Sequence, residues 1–145
     1  MAGINLKKGL KYALDTVTFI YFLEGHPRYY QPAREIFQQI ERGTISAVCS
    51  TLIFTELLVP LYKSDNLEQA ERLNHTLSNF PNLSIIPITD DISIKAAQIR
   101  AIHGLRTPDA IHLASAVHAK TNGFITNDKN LLKAATSAVE VLLFD

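Results

Sequence analysis

Five short apolar runs, each separated from the next by stretches with helical patterning, constrain this chain more than any other feature. Lys11–Leu14, 45–49, Leu83–Ile86, 124–126 and 139–143 are too short for helices and are bounded by charged or chain-breaking residues. The spacing predicts a short helix over 18–24, stopped by Gly25 and Pro27. Residues 32–42 carry apolar side chains at 33, 36, 37 and 40, an amphipathic stripe closed by Gly43. Ser50 or Thr51 is the expected cap of a helix through Lys63, with its apolar face at 53, 57, 58 and 61 and Pro60 near its end. Helices are predicted over 67–80 and over Asp90–His103, the second ending at Gly104. Thr107-Pro108 reads as a helix start, with Thr as cap and Pro in the first helical position, running to about residue 120. Lys129–Ala134 is expected as a helical turn or two. Strands that alternate with helices pair in parallel. The expected fold class is therefore α/β: three layers, α/β/α, with a mostly parallel central sheet of about five strands.

A length of 145 residues suits one domain, 1–145, with residues 1–9 as a short N-terminal extension. Hydrophobic content of 47% and 19% charged residues exclude wholesale disorder. The single cysteine, Cys49, cannot form an intrachain disulfide, so nothing asks for an oxidising compartment. Lys7, Lys8 and Lys11 precede an apolar stretch as in a secretory leader, but Asp15 and Glu24 interrupt it and no small-residue cleavage site follows. No uncharged apolar run reaches membrane-spanning length, and the expected location is the cytoplasm.

The acids are informative. Asp15 directly follows the first apolar run and Asp128 follows the fourth, and either position also suits a cap for the next helix. Asp109 falls in the first turn of the 107–120 helix, where a carboxylate meets the positive end of the helix dipole. Glu56 lies three residues after Ile53 and beside Leu57, at the border of an apolar stripe. A glutamate facing a core is salt-bridged, protonated or bound to a metal. In open α/β sheets, ligands bind beyond the carboxyl ends of the strands, where the strand order reverses. Four acids projected to that end point to a shared cation. Overall, 14 Lys and Arg balance 14 Asp and Glu, which argues against a strongly basic DNA-coating protein. Setting the four acids aside leaves 14 basic against 10 acidic residues, compatible with a phosphate-bearing substrate.

The segments LDTVTFIYFLEGHP (14–27), STLIFTELL (50–58), LRTPDAIHLASA (105–116) and FITNDKNLL (124–132) resemble, in order and spacing, the signatures of PIN-domain nucleases. The similarity covers nearly the whole chain and is greatest to small single-domain proteins of the VapC toxin type. It implies Asp15, Glu56, Asp109 and Asp128 as the catalytic, metal-holding acids. Thr16, Thr126 and Asn127 beside them are the candidate outer partners, and Thr18 is a further hydroxyl near Asp15. It also implies RNA as substrate, 5′-phosphate and 3′-hydroxyl products, a homodimer and an antitoxin protein partner. Candidate surfaces for these contacts are the aromatic first helix and the 67–80 helix. One departure is Val17, where many such toxins carry Asn or Ser two positions after the first Asp; it bears on the positioning of a water rather than on the carboxylates.

Clustered carboxylates repel one another, so without a cation at least one pKa should rise. Hard oxygen ligands suit Mg²⁺ or Mn²⁺, and the expected chemistry is hydrolysis of an RNA phosphodiester by a metal-activated water. His112, three residues after Asp109, reads as packing or as an outer partner of the acids; His26, His75, His103 and His118 show no ligand spacing. Cys49 reads as a small core residue. Phe19, Tyr21 and Phe22 read as core or dimer surface, Tyr29 and Tyr30 as possible base-stacking rings, and Arg106 and Lys129 as phosphate neighbours or solvated charges. Dehalogenase-type phosphatases need a second Asp where Val17 stands. Receiver domains need an acid pair where Ala13 and Leu14 stand, and dinucleotide binding needs an absent G-x-G-x-x-G. The remaining rival is a PIN-like module that binds RNA or protein without cutting.

Overall fold

The computed structural model describes residues 4–134 and 139–145. Its strands are β1 (Lys11–Leu14), β2 (Ser46–Ser50), β3 (Leu83–Ile86), β4 (Gly123–Thr126) and β5 (Glu140–Leu143). Its α-helices are α1 (Thr16–Leu23), α2 (Tyr30–Glu41), α3 (Leu52–Lys63), α4 (Leu67–Ser78), α5 (Asp90–His103) and α6 (Thr107–His118), with a 3₁₀ segment at Lys129–Ala134. The five strands form one sheet in the order β3-β2-β1-β4-β5, and every pairing is parallel. The expected three-layer α/β architecture is the observed one.

Period-two alternation divides the core into two. Tyr12 and Leu14 of β1 face Phe19, Ile36, Phe37, Ile40, Ile53 and Leu77 from α1 to α4. Ala13 between them faces the other way, into Ile92, Ala110, Leu113, Ala114, Phe124 and Val141. Ile4, Leu6 and Leu10, before β1, pack on the first cluster, and the Gly9 N–H donates to the Thr44 carbonyl. Among the described residues, no helix is long and apolar enough to cross a membrane.

Helix starts depart from expectation for identifiable reasons. The first helix begins at Thr16, because the Asp15 carboxylate accepts the Thr16 N–H at 2.8 Å. The second begins at Tyr30, after the His26 ring accepts the N–H groups of Arg28 and Tyr29; Pro32 then sits in the first turn, where it gives up no hydrogen bond. The third is served by Ser50, whose hydroxyl accepts the Leu52 N–H, whereas Thr51 makes no side-chain cap. Thr107 is not the cap of α6: the Ala110 N–H donates to the Arg106 carbonyl, so the cap is Arg106.

Gly123 is where the sheet tolerates no side chain. A Cβ there would lie 2.9 Å from Tyr12 Cδ1 and 3.2 Å from Leu142 Cδ1. Gly123→Ala is expected to destabilise the protein by about 1–3 kcal/mol, the usual range for an overfilled core, read as a lower denaturant midpoint with an unchanged slope.

Candidate active site

The strand order reverses between β1 and β4: β2 and β3 are added on one side of β1, and β4 and β5 on the other. A crevice at the carboxyl ends of these two strands is the predicted ligand site of such a sheet. Here it is a cavity of about 520 Å³ lined by Asp15, Thr16, Val17, Ile20, Tyr21, Glu56, Arg106, Asp109, Thr126, Asn127 and Asp128.

All four acids read from the sequence reach this cavity, from four different elements. Asp15 extends β1 by one residue, its N–H donating to the Ile125 carbonyl. Its carboxylate accepts the Thr16 N–H on one oxygen and the Thr126 hydroxyl, at 2.7 Å, on the other. Asp128 follows β4; its N–H donates to the Thr126 oxygen and its carboxylate accepts the Asn130 N–H. Thr126 thus joins two of the acids. Asp109 enters from α6, buried, and takes Arg106 as its ion-pair partner at 3.1 Å. Glu56 enters from α3, half-buried, its Oε1 accepting the Thr16 hydroxyl at 2.7 Å and lying 2.6 Å from His112 Nε2. The helix-cap reading therefore holds alongside the site: Asp15 both caps α1 and faces the cavity, while Glu56 is held by hydrogen bonds.

The electrostatics differ from simple mutual repulsion. Burial pushes the Asp15 carboxyl above its ordinary range, against the pull of His112 and the hydrogen bonds from Thr126 and Thr16; the Asp109 charge adds only a lesser push. Burial pushes Glu56 up too, but its hydrogen bonds from His112 and Thr16 outweigh this and hold it below the usual value. Dehydration, more than neighbouring charge, makes Asp15 the raised acid.

Three residues carry more than the sequence indicated. Tyr21, expected in core or dimer surface, lines the cavity, and its hydroxyl accepts from the Asn127 amide at 2.9 Å. His112 is buried and bonded to Glu56, and Arg106 sits on Asp109. The signals were present as helical spacing: Val17 and Tyr21 are four apart, and Arg106, Asp109 and His112 are successively three apart. Tyr29 and Tyr30 are both absent from the cavity lining: Tyr29 is buried with its hydroxyl on the Asp145 carboxylate, and the half-buried Tyr30 stacks one face on Phe22. Lys129 is exposed and absent from the cavity lining, and Cys49 is a core residue whose thiol burial pushes up to about 12. Val17 occupies the wall where a polar side chain was the family expectation.

An oxygen-only donor set suits a hard divalent cation, and the cavity has room for one that keeps part of its water. Among the described residues, no three His, Cys, Asp or Glu side chains converge as a preformed ligand cluster. The acids surround the cavity instead of meeting at a point, an arrangement that fits a cation bound partly through water.

The sequence profile of the PIN domain matches residues 12–136, and the chain belongs to the PIN-domain family. No curated protein matches it. Among solved structures, a toxin-antitoxin complex from Klebsiella pneumoniae is 24% identical, with a TM-score of 0.65, 88% of this chain and 94% of that chain being covered. VapBC2 from Rickettsia felis, bound to a promoter DNA fragment, is 19% identical, with a TM-score of 0.68 over 94% of this chain and all of that chain. VapBC-5 from Mycobacterium tuberculosis is 17% identical, with a TM-score of 0.59 and 92% and 98% covered. At these identities the likeness is one of fold.

Opposite pKa directions give Asp15 and Glu56 opposite effects on stability. The Asp15 contribution is fully present below its unfolded value of 3.8 and is lost as pH rises through the raised folded value. That of Glu56 is present above its unfolded value of 4.5 and is lost as pH falls through the lowered folded value. In chelator, Glu56→Gln is expected to be about 1 kcal/mol less stable than wild type near pH 7, a charged hydrogen bond reduced by partial exposure, and to converge on it in acid. Chemical denaturation across pH 3–7 measures the difference.

Proposed function

We propose that this chain is a divalent-metal-dependent endoribonuclease, the toxin member of a toxin–antitoxin pair acting in the cytoplasm. The observation that carries this reading is the convergence of Asp15, Glu56, Asp109 and Asp128 on one cavity at the switch point of a PIN-family sheet. These acids would hold Mg²⁺ or Mn²⁺, which when bound supplies Lewis-acid activation of water and charge stabilisation at phosphorus. The protein's own residues do the rest. Thr126 and the Thr16 N–H fix both oxygens of Asp15 in one orientation, so its remaining lone pairs face the cavity. Arg106, largely exposed, is placed to leave Asp109 for a substrate phosphate when a cation takes over the carboxylate. No side chain is required as a nucleophile.

The partner reading rests on a second feature. Phe22, Leu23, Leu73, Leu77 and Phe80 line an apolar hollow of about 240 Å³ between α1, α2 and α4, rimmed by Arg34 and Glu41. Several solved structures of the same fold are toxin-antitoxin complexes, which supports an antitoxin segment as the occupant. A homodimer is the proposed assembly of the free chain, and light scattering of purified protein is expected to give twice the chain mass.

Purified protein is expected to cut RNA with Mg²⁺ or Mn²⁺, to stop in chelator and to leave 5′-phosphate ends. Asp15→Asn and Asp109→Asn should each lower cleavage by at least about a hundredfold, the scale expected when an electrostatic catalytic group is lost, with the fold retained. Cleavage that persists in chelator and leaves cyclic phosphates rejects the mechanism. RNA binding without cleavage under any metal condition selects the rival reading of a silent binding module. Mn²⁺ at ten times its dissociation constant should add about 1.4 kcal/mol of stability, visible as a rise in melting temperature.

A further inference from the structure

His112 is the least expected component of the site. It lies on the sheet-facing side of α6, 3% exposed, and its Nε2 reaches across to Glu56 Oε1 at 2.6 Å on α3 and to Thr16 Oγ1 at 3.1 Å on α1. Thr16 Oγ1 and Glu56 Oε1 are themselves joined at 2.7 Å, so three helices meet in one closed triangle of polar atoms. Roles follow from the donor inventory. The Thr16 hydroxyl has one hydrogen, given to the carboxylate; Nε2–H is then the donor to Glu56, and the hydroxyl oxygen is a second acceptor beside it. The other ring nitrogen, Nδ1, is buried with no hydrogen-bond partner among the described residues.

This one-sided bonding has a consequence for Glu56. A glutamate has three side-chain torsions, and one a third exposed would ordinarily sample several rotamers. Two donors converging on the same oxygen hold Oε1 against the protein, and Oε2 has no hydrogen-bond partner among those of the described residues. We infer that His112 is a positioning residue: through Nε2–H it locks the Glu56 carboxylate so that Oε2 is presented to the cavity as a preoriented cation ligand. The inference rests on the metal-dependent reading of the site and deepens it. Outer partners of this kind set ligand orientation, and their loss typically costs 10–100-fold in metal affinity.

Two substitutions separate positioning from space-filling. The amide nitrogen of Gln can stand where Nε2 stands, whereas that of Asn reaches only the position of Nδ1, which has no partner. Metal-free protein is titrated with Mn²⁺ alone, with free ion followed by electron paramagnetic resonance, and RNA cleavage is measured separately. His112→Gln is expected to bind Mn²⁺ within about threefold of wild type, while His112→Asn weakens it at least about tenfold and lowers kcat with little change in KM. In a Glu56→Ala background, His112→Asn should lose most of its effect on Mn²⁺ affinity, because the hydrogen bond it breaks is made to Glu56 while the Asp15 carboxylate lies 4.0 Å away. Thr16→Val, nearly isosteric, removes the second donor to Oε1 and should weaken Mn²⁺ in the same direction; it decides the matter if His112→Asn does not fold. Equal Mn²⁺ affinity in wild type, His112→Asn and Thr16→Val overturns the role, as does equal damage from Gln and Asn or an undiminished effect in Glu56→Ala. Wild-type protein that binds no Mn²⁺ overturns the metal reading itself and the role of His112 with it.

Discussion

The ladder between β1 and β4 is the interaction on which the rest of the structure depends. The chain builds β2 and β3 outward on one side of β1, returns, and builds β4 and β5 on the other, so among the described residues the two halves of the sheet are joined by the β1–β4 pairing. Parallel pairing brings the carboxyl ends of Leu14 and Ile125 level, and the residues that follow are forced together. One of these is Asp15, and the next residue on the facing strand is Thr126. The hydrogen bond between them closes the ladder with a side chain and leaves a buried carboxylate at the point where the helices diverge.

Burial of that carboxylate is unfavourable by itself, and the surroundings are arranged to meet it. A backbone N–H at the start of α1, a hydroxyl from β4 and a nearby imidazole all favour the charged form, yet dehydration still wins. A site that holds an anion under such conditions is one in which a bound cation finds a large electrostatic return, because low local polarity strengthens the attraction. Arg106 illustrates the contrast. Its side chain is 77% exposed, so its ion pair with Asp109 is weak in water and easily exchanged.

The helix α6 couples the core to the site. Ala110, Leu113, Ala114 and Ala116 fill the second core cluster with small, close-packed side chains, while Asp109 and His112 on the same helix reach the cavity and α3. Because one rigid element carries both, the separation between the Asp109 and Glu56 carboxylates is tied to how α6 seats on the sheet. Pro60 lies one turn beyond Glu56 in α3 and, lacking an N–H, cannot donate to the Glu56 carbonyl.

Local rules in the sequence determined the layers and the acids. Short β runs alternating with amphipathic stretches dictate parallel strands with helices on both faces, and periodicity placed Glu56 at the border of a stripe where it is half-buried. Strand ends likewise marked Asp15 and Asp128. Helix starts at Thr16, Tyr30 and Leu52 were legible only to within about two residues, because the hydrogen bonds that set the entering turns use Asp15, His26 and Ser50 in ways that nearby hydroxyls and carboxylates mimic equally well. What the tertiary structure alone decided is the pairing of polar atoms across elements. The bond from His112 to Glu56 spans 56 positions, and that from Thr126 to Asp15 spans 111. No local propensity encodes such contacts. They arise from the strand order, which brings distant segments to one edge, and from burial, which leaves each polar group there in need of a partner.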